Sequence, residues 1–93
     1  MKVSVLVHPN YEKPFILYSD ASYFGFGYIL SQEQDGIEHP IRYGSRKISP
    51  AENNYTITEL ECSAVVWSVR ENKQFLGTNP FTLVTDHKAL ATL

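Results

Sequence analysis

The feature that most restricts the fold of this chain is the order of its local signals. Three closely spaced β-strand patterns, rich in aromatic and aliphatic residues, cover residues 15–20, 25–31 and 40–45. The Asp35-Gly36 pair separates the second from the third, and Asp-Gly is a strong short-range signal for a hairpin. These signals predict three strands in an antiparallel meander, ahead of a single long helical pattern.

Two capping boxes mark the helical part of the chain. Ser49 is followed three residues later by Glu52, and Thr56 is followed at the same spacing by Glu59. In such a box the hydroxyl and the carboxylate each satisfy a backbone N–H that the first turn leaves unpaired. The first box predicts a short helical turn. The second predicts a longer helix over residues 57–75.

The remaining segments complete one domain, which is as much as 93 residues allow. Residues 81–85 are predicted to form a fourth strand, and residues 86–93 to begin another helix. Residues 1–13 are interpreted as an entry segment, in which residues 3–7 are either a short strand or the remnant of a preceding element. The domain itself is assigned to residues 14–93. The fold class is α/β, as an α+β domain with a mixed sheet.

Composition limits the partners and the compartment. The formal net charge is −2, so the sequence has no general attraction for phosphate, and any nucleic-acid affinity must be local or supplied by other domains. Cys62 is the single cysteine, which excludes an intramolecular disulfide. We find no signal peptide and no apolar stretch long enough to span a bilayer. We therefore expect an intracellular protein, in a cytoplasmic particle or the nucleus, that is not secreted and has no membrane partner.

Two acidic residues follow strand patterns directly. Asp20 comes after residues 15–19, and Asp86 comes after residues 81–85. Taken singly, each is more readily explained as a turn or helix cap than as a functional residue. Two such residues in one small domain favour a site, because adjacent strands bring their ends together.

Helix periodicity separates two glutamates that are two residues apart. At about 100° per residue, Glu61 falls inside the apolar arc of the predicted helix, whereas Glu59 falls on its polar side. Glu59 is therefore predicted to be a solvated cap residue. A carboxylate directed toward a core is costly unless it is paired, hydrogen-bonded or bound to metal. The alternative is that Glu61 closes a capping box opened by Thr58.

Three acids from a strand, a helix and a strand, meeting at one end of a sheet, suit a divalent-metal site. Hard cations such as Mg²⁺ prefer oxygen ligands and retain water. Such a site is typical of phosphodiester cleavage by the two-metal scheme. Trp67 and most of the six tyrosines are assigned to the core rather than to base stacking.

Five segments, in order and with near-normal spacing, resemble a known family. The family is the RNase H domain of gypsy-type LTR retrotransposon reverse transcriptases, and the similar segments are residues 14–22 (PFILYSDAS), 24–32 (FGFGYILSQ), 39–47, 54–67 and 84–90 (VTDHKAL). The resemblance covers nearly the whole chain. It implies an RNase H-like fold and a Mg²⁺-dependent endonuclease, with Mn²⁺ as a possible substitute, that cuts the RNA strand of RNA–DNA hybrids.

The resemblance also assigns individual residues. In the family the helix glutamate is followed three residues later by alanine, which selects Glu61 over Glu59 because Ala64 stands at that spacing. The implied catalytic and metal-binding residues are Asp20, Glu61 and Asp86. The implied substrate-binding residues are Ser22, His87 and Lys88. The implied partners are an RNA–DNA hybrid and the polymerase domain of the same polyprotein.

One departure from the family pattern concerns a fourth acid. The family carries a further aspartate on a later helix, after a fifth strand, and the 93 residues contain neither element. The sequence therefore predicts an RNase H-like domain truncated before its last strand and helix, with an incomplete two-metal site and an exposed edge beside the fourth strand. Two alternatives to an active nuclease remain open here. They are a non-catalytic RNase H-like structural or interaction module, and an inactive retroelement remnant.

Overall fold

The computed structural model describes the backbone of residues 2–5 and 8–85, and the side chains of residues 8–85. The elements in chain order are β1 (Lys2–Val5), β2 (Phe15–Ala21), β3 (Gly25–Gln34), β4 (Ile37–Lys47), a 3₁₀ helix (Pro50–Asn54), α1 (Ile57–Glu71), α2 (Lys73–Leu76) and β5 (Thr82–Thr85). The helix start predicted for residues 86–93 lies outside the described residues.

The five strands form one mixed sheet in the order β1-β4-β3-β2-β5. β2, β3 and β4 form the predicted antiparallel meander. The Asp35-Gly36 turn has positive φ at both residues, 57° and 80°, as the hairpin turns that match strand twist require. β5 pairs with β2 in parallel, because the chain crosses over the sheet through α1 before it returns. The predicted α+β fold class is confirmed.

The entry segment contributes a strand that the sequence left undecided. β1 pairs antiparallel with β4, with Lys2 opposite Ser45 and Val5 opposite Arg42. It therefore adds an edge strand on the side of the sheet away from β5. The assignment of residues 1–13 to the entry segment and of residues 14–93 to the domain stays a prediction.

Both predicted capping boxes are present. The Ser49 N–H donates to the Glu52 carboxylate at 2.7 Å, and the Thr56 N–H donates to Glu59 at 3.0 Å. The long helix is shorter than predicted, because Asn72 leaves the helical conformation with φ −111° and ψ 12°. Its buried side-chain amide donates to the Ser68 carbonyl at 2.7 Å, a local bond of the kind by which Asn competes with the helix backbone.

The core lies between one face of the sheet and α1, which packs on β2 and β3. Its buried apolar side chains include Phe15, Leu17, Leu30, Ile41 and Leu60. Within the described residues, no helix is long and apolar enough to cross a membrane.

The prediction that most tyrosines belong to the core is wrong. Tyr28 is buried at 3% exposure and meets Trp67 edge-on, with ring centroids 5.3 Å apart. The exposed tyrosines lie in turns or loops, or on the sheet face away from α1, and they are Tyr11, Tyr23, Tyr43 and Tyr55. Aromatic content alone does not tell which pleat or loop a residue occupies, and this decides its burial.

Candidate active site

Asp20 lies near the carboxyl end of β2 and is exposed. Burial alternates along this strand, with Phe15, Leu17 and Ser19 buried toward α1, so Asp20 lies on the opposite pleat. Its partner across the β2–β3 ladder is Gly27, which has no side chain to cover the carboxylate. The strand thus presents Asp20 to solvent at the end of the sheet.

Glu61 lies in the second turn of α1 and is half-buried, and its Oε2 atom is shielded from solvent. Its neighbour Glu59 is exposed and completes the Thr56 capping box, as predicted. The alternative in which Thr58 caps the helix is excluded, because Thr56 is the N-cap and Thr58 is inside the helix. The capping box at the start of α1 is therefore formed by Thr56 and Glu59.

α1 runs antiparallel to β2, and this brings Glu61 to the strand end that carries Asp20. The buried Ser68 hydroxyl donates to Ser19 at 3.3 Å, and Leu60 packs in the cluster that includes Ala21. Glu61 is seven residues before Ser68, so it shares that helix face at about 10 Å toward the helix N-terminus. Asp20 comes from the sheet and Glu61 from the helix layer, and both lie at the same end of the domain.

The third predicted acid, Asp86, lies outside the described residues, as do His87 and Lys88. The residue before Asp86 is described. Thr85 lies beside Ser19 in the parallel register, so β5 reaches the end of the sheet alongside the residue that precedes Asp20. Among the described residues, no three His, Cys, Asp or Glu side chains form a metal-binding group. Only two members of the predicted trio belong to that part of the chain.

A groove of about 450 Å³ lies on the sheet face opposite α1, and its lining residues include Asp20, Thr85, Tyr18 and Ile29. The Tyr18 hydroxyl donates to the Glu38 carboxylate at 2.7 Å. This bond raises the pKa of Tyr18, because ionisation of the phenol would place a negative charge against that carboxylate. One predicted acid, Asp20, thus lines a groove whose surface is mostly apolar.

Ser22, predicted as a substrate contact, organises the loop between β2 and β3. Its Oγ accepts the N–H groups of Phe24 and Gly25 at 3.2 and 3.3 Å, and its hydroxyl donates to the Gly25 carbonyl at 3.4 Å. Ser22 is exposed and follows Asp20 by two residues. It therefore fixes the chain path next to Asp20, and its role as a substrate contact stays a prediction.

An ion pair anchors the segment that leads into α1. Arg46 donates to both carboxylate oxygens of Glu52 at 2.9 Å, and Glu52 also accepts the Ser49 N–H. Chiefly through the Arg46 hydrogen bonds, the pKa of Glu52 falls from 4.5 to about 2. The same contact raises the pKa of Arg46. The sequence predicted the capping box but not the arginine, which comes from β4.

The two arginines of β4 that face α1 are engaged in the fold. The guanidinium of Arg42 lies 5.1 Å from the ring centre of Phe75, and that of Arg46 lies 4.5 Å from the ring centre of Phe26. Distances below about 6 Å are those of cation–π contacts. These cations stabilise packing between sheet and helix, and Arg42 is buried at 8% exposure. They are not offered to solvent as a phosphate-binding face.

Comparison with known proteins identifies similar sequences. The chain is 38% identical over 87 residues to the retrovirus-related Pol polyprotein from transposon opus of Drosophila melanogaster, covering 92% of this chain and 9% of the relative. It is 39% identical over 87 residues to the retrovirus-related Pol polyprotein from transposon gypsy of the same organism, covering 92% of this chain and 8% of the relative. The Tf2-3 polyprotein of Schizosaccharomyces pombe is 35% identical over 89 residues, covering 92% and 7%. The chain thus spans less than a tenth of these relatives.

Solved structures share the fold. A foamy viral protease-reverse transcriptase in complex with double-stranded DNA matches with a TM-score of 0.78 at 16% identity, covering 91% of this chain and 16% of that one. The same kind of protein in complex with an RNA/DNA hybrid matches with a TM-score of 0.64 at 19% identity, covering 83% and 10%. A family model described as the RNase H-like domain found in reverse transcriptase matches residues 10–93. The resemblance drawn from the sequence is confirmed: the chain belongs to the family of RNase H-like domains found in reverse transcriptases.

Proposed function

We propose that this domain is the metal-dependent endoribonuclease of a retrotransposon reverse transcriptase and hydrolyses the RNA strand of RNA–DNA hybrids. The observation that carries the proposal is that Asp20 on β2 and Glu61 on α1 lie at the same end of the domain, where Thr85 leads into Asp86. The family match supports the same chemistry. So do the Pol polyprotein relatives and the fold shared with a reverse transcriptase bound to an RNA/DNA hybrid.

The residues at this end of the domain fit a hard divalent cation such as Mg²⁺ or Mn²⁺. Asp20 presents an exposed carboxylate, and Glu61 presents one whose Oε2 is shielded from solvent. Both supply oxygen ligands, which these cations prefer. Asp20, Glu61 and Asp86 would hold the metal, which when bound activates water and stabilises the leaving oxygen of a phosphodiester.

The protein's own contribution is positioning. The Ser19–Ser68 hydrogen bond and the packing of Ala21 against the cluster that contains Leu60 fix α1 on β2, and this sets Glu61 relative to Asp20. A rigid support of this kind keeps the ligand positions close to the productive geometry. Ser22, His87 and Lys88 are proposed to contact the substrate near these acids. The intracellular location expected from the sequence stays a prediction.

The test is hydrolysis of an RNA–DNA hybrid labelled on the RNA strand, with Mg²⁺ or Mn²⁺. The chain is compared with Asp20→Asn, Glu61→Gln and the matched control Glu59→Gln. Glu59 is an exposed cap residue two positions from Glu61, and glutamine retains the capping box. We expect loss of Asp20 or Glu61 to lower the rate by about two orders of magnitude, the scale for removing one group that stabilises developing charge. Glu59→Gln is expected to cleave like the unmodified chain.

A second readout is independent of turnover. A cation that binds the folded state alone raises the thermal midpoint of unfolding. We expect Mn²⁺ to raise it for the unmodified chain and Glu59→Gln, and less for Asp20→Asn. Equal cleavage by the chain and Asp20→Asn, or cleavage by neither together with no effect of Mn²⁺, would contradict the proposal. That result would favour a non-catalytic module of the same fold.

A further inference from the structure

Gly27 lies directly opposite Asp20 in the ladder between β2 and β3. Opposed residues of an antiparallel pair point to the same face of the sheet. The neighbouring row on that face pairs the side chains of Tyr18 and Ile29, whereas the row of Asp20 has no side chain at position 27. A glycine inside a strand weakens it, because glycine loses more conformational entropy on folding and packs no side chain. Its presence beside Asp20 therefore requires a physical reason.

Four of the five glycines in the chain have a structural reason. Gly36 and Gly77 have positive φ, of 80° and 55°, which other residues rarely adopt. Gly25 and Gly44 have no room for a side chain, because a Cβ there would lie 2.5 and 2.6 Å from its nearest atom. At these positions the backbone or the packing of the fold accounts for glycine.

Neither reason applies to Gly27. Its φ is not positive, and it pairs regularly on both sides, with Asp20 on β2 and Ser45 on β4. A β-bulge does not explain it either, since the register shift between β3 and β4 lies at Leu30 and Ser31. A Cβ on Gly27 would have its nearest neighbour at 3.8 Å, which is ordinary van der Waals contact. The fold therefore has room for a side chain at position 27.

The remaining common reason for a strand glycine is the close approach of a ligand. Gly27 and Asp20 both line the groove of about 450 Å³ on the sheet face opposite α1. Thr85, which leads into Asp86, lines the same groove. The space left by the missing side chain thus opens beside the Asp20 carboxylate, at the end of the sheet where the proposed metal site lies.

A divalent cation held by Asp20 needs more room than the ion itself. Mg²⁺ binds oxygen at about 2.0–2.1 Å, demands near-octahedral geometry and keeps several waters when one or two carboxylates hold it. These waters require a space that no side chain fills. A side chain on residue 27 would have its Cβ about 4.5–5.5 Å from that of Asp20, so it would compete for this space.

We propose that Gly27 is part of the metal site, because it keeps free the space in which a divalent cation held by Asp20 retains its water. The inference rests on the proposed function, since it takes the same cation. It goes beyond that function by assigning a role to a residue that has no side chain to act as a ligand. Gly27 is a specificity-determining position, and the acids remain the proposed ligands.

The test measures Mn²⁺ binding by the full chain, without nucleic acid, from the electron paramagnetic resonance signal of free Mn²⁺. The variants are Gly27→Ala, Gly27→Val and Asp20→Asn. The matched control is Ser45→Val, because Ser45 is exposed and lies in the same row of the sheet, one strand farther from Asp20. At that position the added side chain is about 10 Å from Asp20, the width of two strand spacings.

Mn²⁺ affinity should depend on the size of the side chain at position 27. We expect Gly27→Val to weaken Mn²⁺ binding about tenfold, the lower end of the range for changes beside the ligands of a metal site, and Gly27→Ala to weaken it by a smaller factor. Asp20→Asn should weaken binding at least as much as Gly27→Val, because it removes a ligand. Ser45→Val is expected to bind Mn²⁺ like the unmodified chain.

The thermal midpoint of unfolding without metal separates a local effect from a loss of the fold. Valine suits a strand better than glycine, so we expect little change in this midpoint for either Gly27 variant. Gly27→Ala adds only the Cβ, for which the strand has room, so it decides the test if valine disturbs the sheet. Weaker Mn²⁺ binding at an unchanged midpoint supports the inference, since a purely structural glycine would affect stability instead.

The two proposals fail separately. Mn²⁺ binding that requires Asp20 but is the same in both Gly27 variants as in the unmodified chain overturns the role of Gly27 alone, and so does an equal loss in Ser45→Val. Mn²⁺ binding that depends on Asp20 and Gly27, without cleavage of the hybrid, overturns the nuclease assignment alone. An unmodified chain that binds no Mn²⁺ overturns both.

Discussion

Replacement of Glu52 by glutamine tests how the segment ahead of α1 is held. Glutamine retains the capping box at Ser49 but removes the charge that pairs with Arg46. The Glu52 side chain is 11% exposed and that of Arg46 is 28% exposed, so the pair is only partly screened by solvent. We expect a clear loss of stability, unlike that of an ordinary surface ion pair.

The size of the loss follows from the pKa of Glu52. A fall from 4.5 to about 2 corresponds to about 3.4 kcal/mol at 1.36 kcal/mol per pKa unit, which is an upper limit. Because Arg46 is partly exposed, we expect about 2 kcal/mol for Glu52→Gln. In a domain of this size, that free energy lowers the thermal midpoint by roughly 8–16 °C.

The direction in which this stabilisation changes with pH is fixed, because the pKa of Glu52 is lower in the folded state than in the unfolded state. The stabilisation is complete above the ordinary value of 4.5 and disappears as the pH falls towards about 2. The difference in unfolding free energy between the chain and Glu52→Gln should therefore shrink to less than half between pH 7 and pH 3. Urea denaturation followed by the fluorescence of Trp67, whose ring centre lies 5.6 Å from the Arg46 guanidinium, measures this difference.

The matched control is Glu59→Gln, in the second capping box. Glu59 is exposed and accepts the Thr56 N–H at 3.0 Å. We expect it to change stability by less than about 0.5 kcal/mol, as for most surface substitutions. A Glu52→Gln loss that stays constant from pH 7 to pH 3, or that equals the loss for Glu59→Gln, would show that the Glu52 charge is not the source of the stabilisation.

Two further predictions concern the packing of β4 and the hydrogen bonds of Gln32. A Cβ on Gly44 would lie 2.6 Å from the ring of Tyr28, whereas a Cβ on Gly27 would have its nearest neighbour at 3.8 Å. Gly44→Ala should therefore destabilise the domain by about 1–3 kcal/mol, and Gly27→Ala by less. Equal denaturation midpoints for the two variants would contradict this reasoning. The amide of the fully buried Gln32 makes hydrogen bonds to the backbone of residues 10–13, so Gln32→Leu should cost at least about 2 kcal/mol in urea denaturation. A loss below about 0.5 kcal/mol would mean that these backbone groups find other partners.

Much of the fold was predictable because its signals are local. The hairpin at Asp35-Gly36 and the two capping boxes depend on residues within three or four positions of each other. The assignment of Glu59 to the cap and of Glu61 to the side facing the sheet follows from the period of the helix alone. The end of the helix was placed less well, because it depends on the buried Asn72 amide and its bond to the Ser68 carbonyl.

The local positions of two candidate acids, Asp20 and Glu61, were predictable, whereas their placement relative to each other was not. The sequence determined that Asp20 ends a strand and that Glu61 lies on the inner side of a helix. Only the tertiary structure decided that α1 runs antiparallel to β2, with Ser68 bonded to Ser19, 49 residues away in sequence, and Leu60 in the cluster that includes Ala21. That direction brings the two acids to the same end of the domain. Strand and helix periodicity place each serine on a buried face, but no local pattern encodes that the two serines meet.

The same distinction holds for the outer parts of the domain. The strand β1 depends on a free edge of β4, and the exposure of Phe24 depends on where the ladder between β2 and β3 ends. The partner of Glu52 is an arginine on β4 that the capping box does not reveal. The sequence by itself determined the order of elements and the candidate acids, since these rest on short-range chemistry. Strand partners, buried polar contacts and the exposure of Phe24 were decided by tertiary structure, since they depend on residues that are close in space and distant in sequence.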